Sequence, residues 1–260
     1  MRTEMELVVL GSGTVAPSAS RTAPAHWIEA GPVRLLLDCG AGTLHRAATL
    51  AIPWSEVTHV ALTHFHVDHW GELPHLLFAQ KWGTEPARTA PLTLLGPVGL
   101  QARLTLLAAA FGDWVLEPGY PLEIVEIASG ERTTLADDVT LEAHATPHTE
   151  ESLAYAVGHG GSRLVYTGDT GPSAELATWA TDCDLLLAEC SLPADRAIAI
   201  HLTPEQAGAL AREARARRLV LTHFYPPIET VQPAALAAAH CPCPVVAARD
   251  GDRFFIEAET

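Results

Sequence analysis

Three imidazoles and one carboxylate fall within six consecutive positions of Thr63-His64-Phe65-His66-Val67-Asp68-His69. Neutral imidazole nitrogens suit zinc and its neighbours, and a carboxylate at the same point can ligate a cation or hold a water molecule. A lone histidine is more often a packed or surface residue. Four metal-type side chains at H-x-H-x-D-H spacing are hard to explain that way. Three more such residues follow apolar runs that read as strands: His148 in ATPHTEES, Asp169 in YTGDT and His223 in LTHF. Singly, each can be an ordinary turn or loop residue. Together, His64, His66, Asp68, His69, His148, Asp169 and His223 are enough donors for two divalent metal ions, with positions left for water and substrate. Asp169 suits the place between the ions, because a carboxylate has two oxygens.

The elements that must position these residues are short. MELVVLGSG reads as a strand ending in a Gly-rich turn, and HWIEA and RLLLDCG as a hairpin-like pair around Ala30-Gly31-Pro32. HVALTH is a compact buried strand and ELPHLLFAQ a helix. LTLLGP, LEIVEI, VTLEAHAT, SLAYAVGH, RLVYTGD and DLLLAEC read as further strands, with ELATWATD as a short helix. In HLTPEQAGALAREARARRLVLTHF the spacing predicts one long helix and one more strand. Thr203 should cap that helix, with Pro204 at its first position and Gln206 completing a capping box. Arg212, Arg215, Arg217 and Arg218 should sit towards its C-terminal end as a solvated run. GTEPARTAP, residues 83–91, reads as an exposed loop, and PVVAARDGDRFFIEA as a terminal hairpin turning at Asp250-Gly251. Each half therefore holds strands followed by helices. That pattern predicts two sheets packed face to face with helices outside, in one domain spanning residues 1–260.

Composition narrows the classes of partner. Hydrophobic residues make up 48% and charged residues 18%, which excludes a disordered chain. The formal net charge is −15, so non-specific binding to nucleic acid is disfavoured. The five cysteines match no disulfide framework, no apolar stretch is long enough to span a membrane, and the N-terminus lacks the pattern of a signal peptide. The expectation is a cytoplasmic protein. Cys241 and Cys243 lack the second pair of a zinc site and read as structural. His26, His45, His59, His75, His144, His159 and His240 read mostly as structural or surface residues, with His26 the one that could border the site.

The order Asp38, H-x-H-x-D-H, His148, Asp169, His223 resembles the five motifs of the metallo-β-lactamase superfamily, and the match runs through essentially the whole chain. The resemblance implies an α/β fold: an αββα sandwich of two mixed β-sheets with helices on the outer faces. It also implies that His64, His66 and His148 hold one metal, that Asp68, His69 and His223 hold the other, and that Asp169 bridges them. Asp38 would orient the site from behind the ligands. The segments GSGTVAPSASRTAPAHWI, THFHVDHWGELPHLL, LLLAECSLP, HLTPEQAG and LTHFYP look like ribonuclease Z and its relatives. In such enzymes a glutamate and a histidine at the places of Glu189 and His201 help protonate the leaving group. The implied cofactors are two divalent ions, zinc first, with manganese or iron as the other candidates. A homodimer is implied as well.

One departure shapes the expected substrate. Bacterial ribonuclease Z inserts a tRNA-clamping arm between the histidine and aspartate motifs. Here 20 residues lie between His148 and Asp169, and they read as two strands joined at Gly158-His159-Gly160-Gly161. The expectation is therefore a phosphodiesterase for small or cyclic phosphodiesters, with Asp68, His201 and Glu189 as the catalytic residues. The alternatives are a ribonuclease Z-type tRNA 3′ endonuclease, a lactone or thioester hydrolase on the same cage, and a non-catalytic scaffold.

Overall fold

The computed structural model describes residues 5–257. Strands β1 (Met5–Gly11), β2 (Ala25–Ala30) and β3 (Val33–Leu37) form an antiparallel meander. After helix α1 (Thr43–Thr49), strands β4 (His59–Ala61), β5 (Leu92–Gly96) and β6 (Leu122–Glu126) add in parallel. Helices α2 (Val67–Trp70), α3 (Leu73–Trp82) and α4 (Leu100–Phe111) lie in the crossovers. The second half repeats the plan. Strands β7 (Arg132–Ala136), β8 (Val139–Ala145), β9 (Leu153–His159) and β10 (Ser162–Tyr166) are antiparallel neighbours. After α5 (Ala174–Trp179), strands β11 (Leu185–Glu189), β12 (Leu219–Thr222) and β13 (Val245–Ala247) add in parallel, with α6 (Pro204–Glu213) and α7 (Pro233–Ala238) between them. The last strand, β14 (Arg253–Ile256), returns to the first sheet beside β1. Both sheets have seven strands.

Period-two alternation divides each strand between two layers of core. Leu7 and Val9 of β1 join Leu187 of β11 and Tyr155 of β9 between the sheets, while Val8 and Leu10 face the first half's helices with Leu76, Leu77, Leu100 and Leu104. On the other side Leu186 and Ala188 pack on Leu176, Ala207, Leu210 and Ala211 of α5 and α6. Three apolar layers between four structural layers make the expected αββα sandwich. Because both faces of the central strands are covered, they are apolar runs rather than simple alternations. The edge strands β6 and β7 carry Glu123, Glu126 and Arg132, charges that discourage pairing with another chain.

Several local expectations change. The tail is not a hairpin: β13 pairs with β12 in the second sheet and β14 with β1 in the first. Asp250-Gly251 does form the expected turn, closed by the Asp252 amide on the Arg249 carbonyl at 3.0 Å, but the turn joins strands of different sheets, and the Asp250 carboxylate accepts bonds from the backbone and hydroxyls of Ser12 and Thr22. The capping box at Thr203 and Gln206 is present, but the helix stops at Glu213, and only Arg212 lies in its last turn. Arg215 takes a left-handed φ of 49° and pairs with Asp182, while Arg217 pairs with Asp184. Strand β7 and helices α1, α2, α4 and α7 are not legible in the sequence. In α4 the buried Leu100, Leu104 and Ala108 form a helical stripe, but the exposed Leu106 and Phe111 obscure it.

Candidate metal centre

The chemistry-bearing residues collect at one edge of the sandwich, beyond the carboxyl ends of strands that run in the same direction. Asp38 follows β3, the His64–His69 loop follows β4, His148 follows β8, Asp169 follows β10, Glu189 ends β11 and His223 follows β12. Asp38, in the first half, and His223, in the second, both take a left-handed φ of 59°. That conformation is costly for a residue with a Cβ, and it persists where surrounding contacts hold it. Gly168, also at positive φ, lets the chain turn beside Thr63: a Cβ there would lie 2.9 Å from the Thr63 side chain. The second sheet also pins the first sheet's loop directly. Tyr155 donates to the Leu62 carbonyl at 2.8 Å, and the Leu153 amide to the Thr63 carbonyl at 3.0 Å.

The seven expected donors converge in two groups. His64, His66, His148 and Asp169 form one, and Asp68, His69 and His223 the other, with the donor atoms of each group within 4.8 Å of one another. Asp169 turns a different oxygen to each. Its Oδ2 lies 3.8 Å from His64 Nε2 and 3.6 Å from His148 Nε2, and its Oδ1 lies 3.2 Å from both His69 Nε2 and His223 Nε2. Asp68 Oδ2 sits 3.6 Å from His223 Nε2.

The outer nitrogens of four histidines are already occupied. His69 Nδ1 meets Asp38 at 2.7 Å, His64 Nδ1 meets the Thr63 hydroxyl at 3.0 Å, His148 Nδ1 meets the Ile200 carbonyl at 3.0 Å and His223 Nδ1 meets the Ser191 hydroxyl at 2.9 Å. A carboxylate or carbonyl there calls for N–H on Nδ1, which leaves Nε2 as an inward lone pair. The inner atoms face one another without donors: His69 Nε2 is 3.3 Å from His223 Nε2, and His64 Nε2 and Asp169 Oδ1 are buried with no hydrogen-bond partner. Buried acceptors in this state are expensive unless a cation satisfies them. The donor set therefore fits a pair of divalent ions.

Electrostatics agree. Burial raises the pKa of Asp169, but His223 and His69 outweigh it and hold the carboxyl well below its ordinary range. Burial would lower His69, yet Asp169 and Asp38 draw it well above its usual value. In the absence of a cation the cage thus attracts protons, and metal must compete with them. Burial pushes His64 down, reinforced by His69.

Beside the cage stands a second constellation. Glu189 is fully buried and accepts His201 Nδ1 at 2.8 Å, the Thr170 amide at 2.7 Å, the Leu202 amide at 3.1 Å and the Ser191 hydroxyl at 2.6 Å. Ser191 in turn contacts His223 Nδ1, so one carboxylate orients two histidines. Burial lowers the His201 pKa, but the bond to Glu189 and its charge raise it overall. His201 also groups with Asp169 and His223 closely enough to count as an eighth donor.

Asp38 behaves as a hub. Its oxygens accept from the Thr63 amide and hydroxyl, His69 Nδ1 and the Tyr166 hydroxyl. Thr63, Tyr166, Tyr155 and Ser191 escaped sequence reasoning. Thr63 and Ser191 stood next to recognised motif residues, but nothing in the spacing marked them. His26 does not border the opening: it is fully buried, its ring edge-on to Tyr166 at 4.8 Å, and burial lowers its pKa to about 3. Cys241 and Cys243 lie with sulfurs 3.5 Å apart and do not join any metal-type group among the described residues.

Comparison with known proteins follows from this geometry. A family model described as the beta-lactamase superfamily domain matches residues 33–224. The chain belongs to the metallo-β-lactamase superfamily. Within it the chain is similar to ribonuclease Z of Mycobacterium sp. (strain KMS), with 32% identity over 254 residues, covering 88% of this chain and 87% of the relative. Among solved structures, the metallo-β-lactamase fold protein YhfI from Bacillus subtilis superposes with a TM-score of 0.83 at 24% identity, covering 98% of this chain and all of that one. The short form of human tRNase Z gives 0.76 at 24% identity, covering 96% and 98%. These likenesses show the fold, and with the cage they make the superfamily member a metal-dependent hydrolase. No helix among the described residues is long and apolar enough to cross a membrane.

Proposed function

We propose that this metallo-β-lactamase superfamily hydrolase is a dinuclear phosphodiesterase acting on small or cyclic phosphodiesters. The observation that carries the reading is the buried Glu189–His201 pair at the lip of the cage. Carboxyl ester and thioester hydrolysis has less need of a positioned acid, whereas an alkoxide leaving a phosphodiester gains greatly from one. His64, His66 and His148 would hold one ion, Asp68, His69 and His223 the other, and Asp169 would lie between them. Zinc is the first candidate. When bound, the ions would supply Lewis-acid stabilisation of phosphoryl charge and make water acidic enough to ionise near neutral pH.

The remaining work falls to side chains. Burial opposes ionisation of Asp68, but the hydrogen bond from His223 and the charge of His69 lower its pKa, so it stays a carboxylate able to take and orient the proton of the attacking water. His201 keeps its Nδ1–H on Glu189, which leaves Nε2 for the leaving oxygen. Its raised pKa favours the protonated form that such an acid needs. Replacing His201 by Ala should slow esters with poor leaving groups by about a hundredfold or more, and activated nitrophenyl esters much less. Equal losses on both would remove the acid role.

RNA remains the second reading, favoured by the name of the mycobacterial relative. Residues 149–168 form a loop and the β9–β10 hairpin, with no inserted arm. Since the match takes in 87% of that relative, however, shortness does not separate the two proteins. The acidic surface favours small substrates. Assay of one metal-loaded preparation on bis-nitrophenyl phosphate, cyclic nucleotides and precursor tRNA decides between them. Preferential cleavage of the tRNA would replace the first reading by the second.

A further inference from the structure

We infer that the cavity beside Asp68 is a substrate subsite that takes a compact, uncharged ester arm and rejects an arm bearing a further phosphate. This inference rests on the phosphodiesterase reading. The cavity holds about 380 Å³ and is walled by Thr14, Val15, Ala16, Pro17, Val67 and Asp68, with Arg21 behind. It therefore opens on the one cage carboxylate expected to face the attacking water. Its volume is at the lower end of the range for small-molecule sites, roughly 300–1,000 Å³, room for a ring or a single nucleoside rather than a chain.

The walls are mainly apolar, with the hydroxyls of Thr14, Ser18 and Thr22 among them. Val15 is 53% exposed and Val67 66% exposed, large values for aliphatic side chains bordering a polar cage. Covering them with an apolar group is favourable in proportion to the area removed from water. Arg21 is the one basic residue lining the cavity, and its charge is already committed. Its Nε pairs with Glu229 at 2.8 Å, its Nη1 donates to Ser12 Oγ at 2.6 Å and to the Ala248 carbonyl at 2.7 Å, and its guanidinium lies over the Phe224 ring. The net charge of −15 repels an anionic arm. A nucleic-acid strand would need a cation where this wall has none to spare.

The wall is also formed in advance. Asp250 clamps both ends of the 12–22 loop through Ser12 and Thr22, the Gly13 amide bonds the Thr22 carbonyl at 2.8 Å, and Arg21 ties Ser12 to the segment before Asp250. Little ordering should accompany binding, so the shape and charge of this loop act directly on specificity.

The test compares two 4-nitrophenyl esters that differ by one phosphate: the ester of thymidine 5′-phosphate and the same ester carrying a 3′-phosphate. With the metal-loaded full chain, kcat/KM should favour the uncharged arm by about tenfold or more. Calorimetric binding of the products, thymidine 5′-phosphate and thymidine 3′,5′-bisphosphate, should follow the same order. Ala16→Lys and, independently, Val15→Lys place a cation on the exposed wall and should shrink or invert both ratios. Equal or better cleavage of the phosphate-bearing ester by the unmodified chain, or ratios unmoved in both variants, would overturn the subsite while leaving the phosphodiesterase reading intact. Failure to cleave either ester with two ions bound would overturn that reading, and the subsite with it.

Discussion

The two halves of the sandwich serve one site by different means. The first half delivers His64, His66, Asp68 and His69 from the turn after β4 and the start of α2, so a short stretch of chain sets four donors at once. The second half delivers His148, Asp169, Glu189 and His223 one at a time from the ends of four different strands, and adds His201 from the loop before α6. Each half backs its contribution with one buried carboxylate. Asp38 braces His69 and the Thr63 turn, whereas Glu189 braces His201 directly and His223 through Ser191. On the proposed reading the first half would hold metal and, through Asp68, take a proton from water, while the second would hold metal and, through His201, give one to the leaving group.

Asp169 is where the halves meet, and its loss should have the largest effect. Asp169→Ala removes an oxygen from each donor group, so kcat/KM should fall by on the order of a thousandfold or more, and both ions should be lost from the purified protein. Retention of both ions would show that the two groups are independent. Glu189→Gln should come next, lowering turnover of poor leaving groups by about a hundredfold while metal content stays unchanged. A matching loss of metal would erase the distinction between the two braces. Asp38→Asn should do the reverse: metal affinity falls by roughly 10- to 100-fold, and the dependence on leaving group is preserved once metal is in excess. Equilibrium competition with a chromophoric chelator measures it.

The smallest expected effect concerns acid. His26 of the first half meets Tyr166 of the second edge-on, and burial lowers its pKa from 6.5 to about 3. Between those values the unfolded chain binds a proton that the folded chain refuses, so stability falls as pH drops from 6.5 towards 3, at up to about 1.4 kcal/mol per pH unit. His26→Phe should flatten the stability–pH curve in that window, read by denaturant titration. An unchanged slope would mean that the ring escapes its burial or finds another partner.

The same contrast explains what the sequence made legible. The first half's donors share one motif, and H-x-H-x-D-H carries its own meaning. The second half's donors are single residues, and only their order and their place after apolar runs joined them. The braces follow the same division: Asp38 and Glu189 were expected through resemblance, whereas Thr63, Ser191 and Tyr166 act through hydrogen bonds that no spacing encodes. The terminal hairpin failed for a related reason. Alternation reveals a strand but not the sheet it joins, and β13 and β14 join different ones.

The central claim is that both halves together hold two ions on one bridging carboxylate. Elemental analysis of the metal-reconstituted chain, with excess ion removed, measures this directly. The account predicts close to two divalent ions per chain, falling together in Asp169→Ala. One ion per chain, or none, would contradict it.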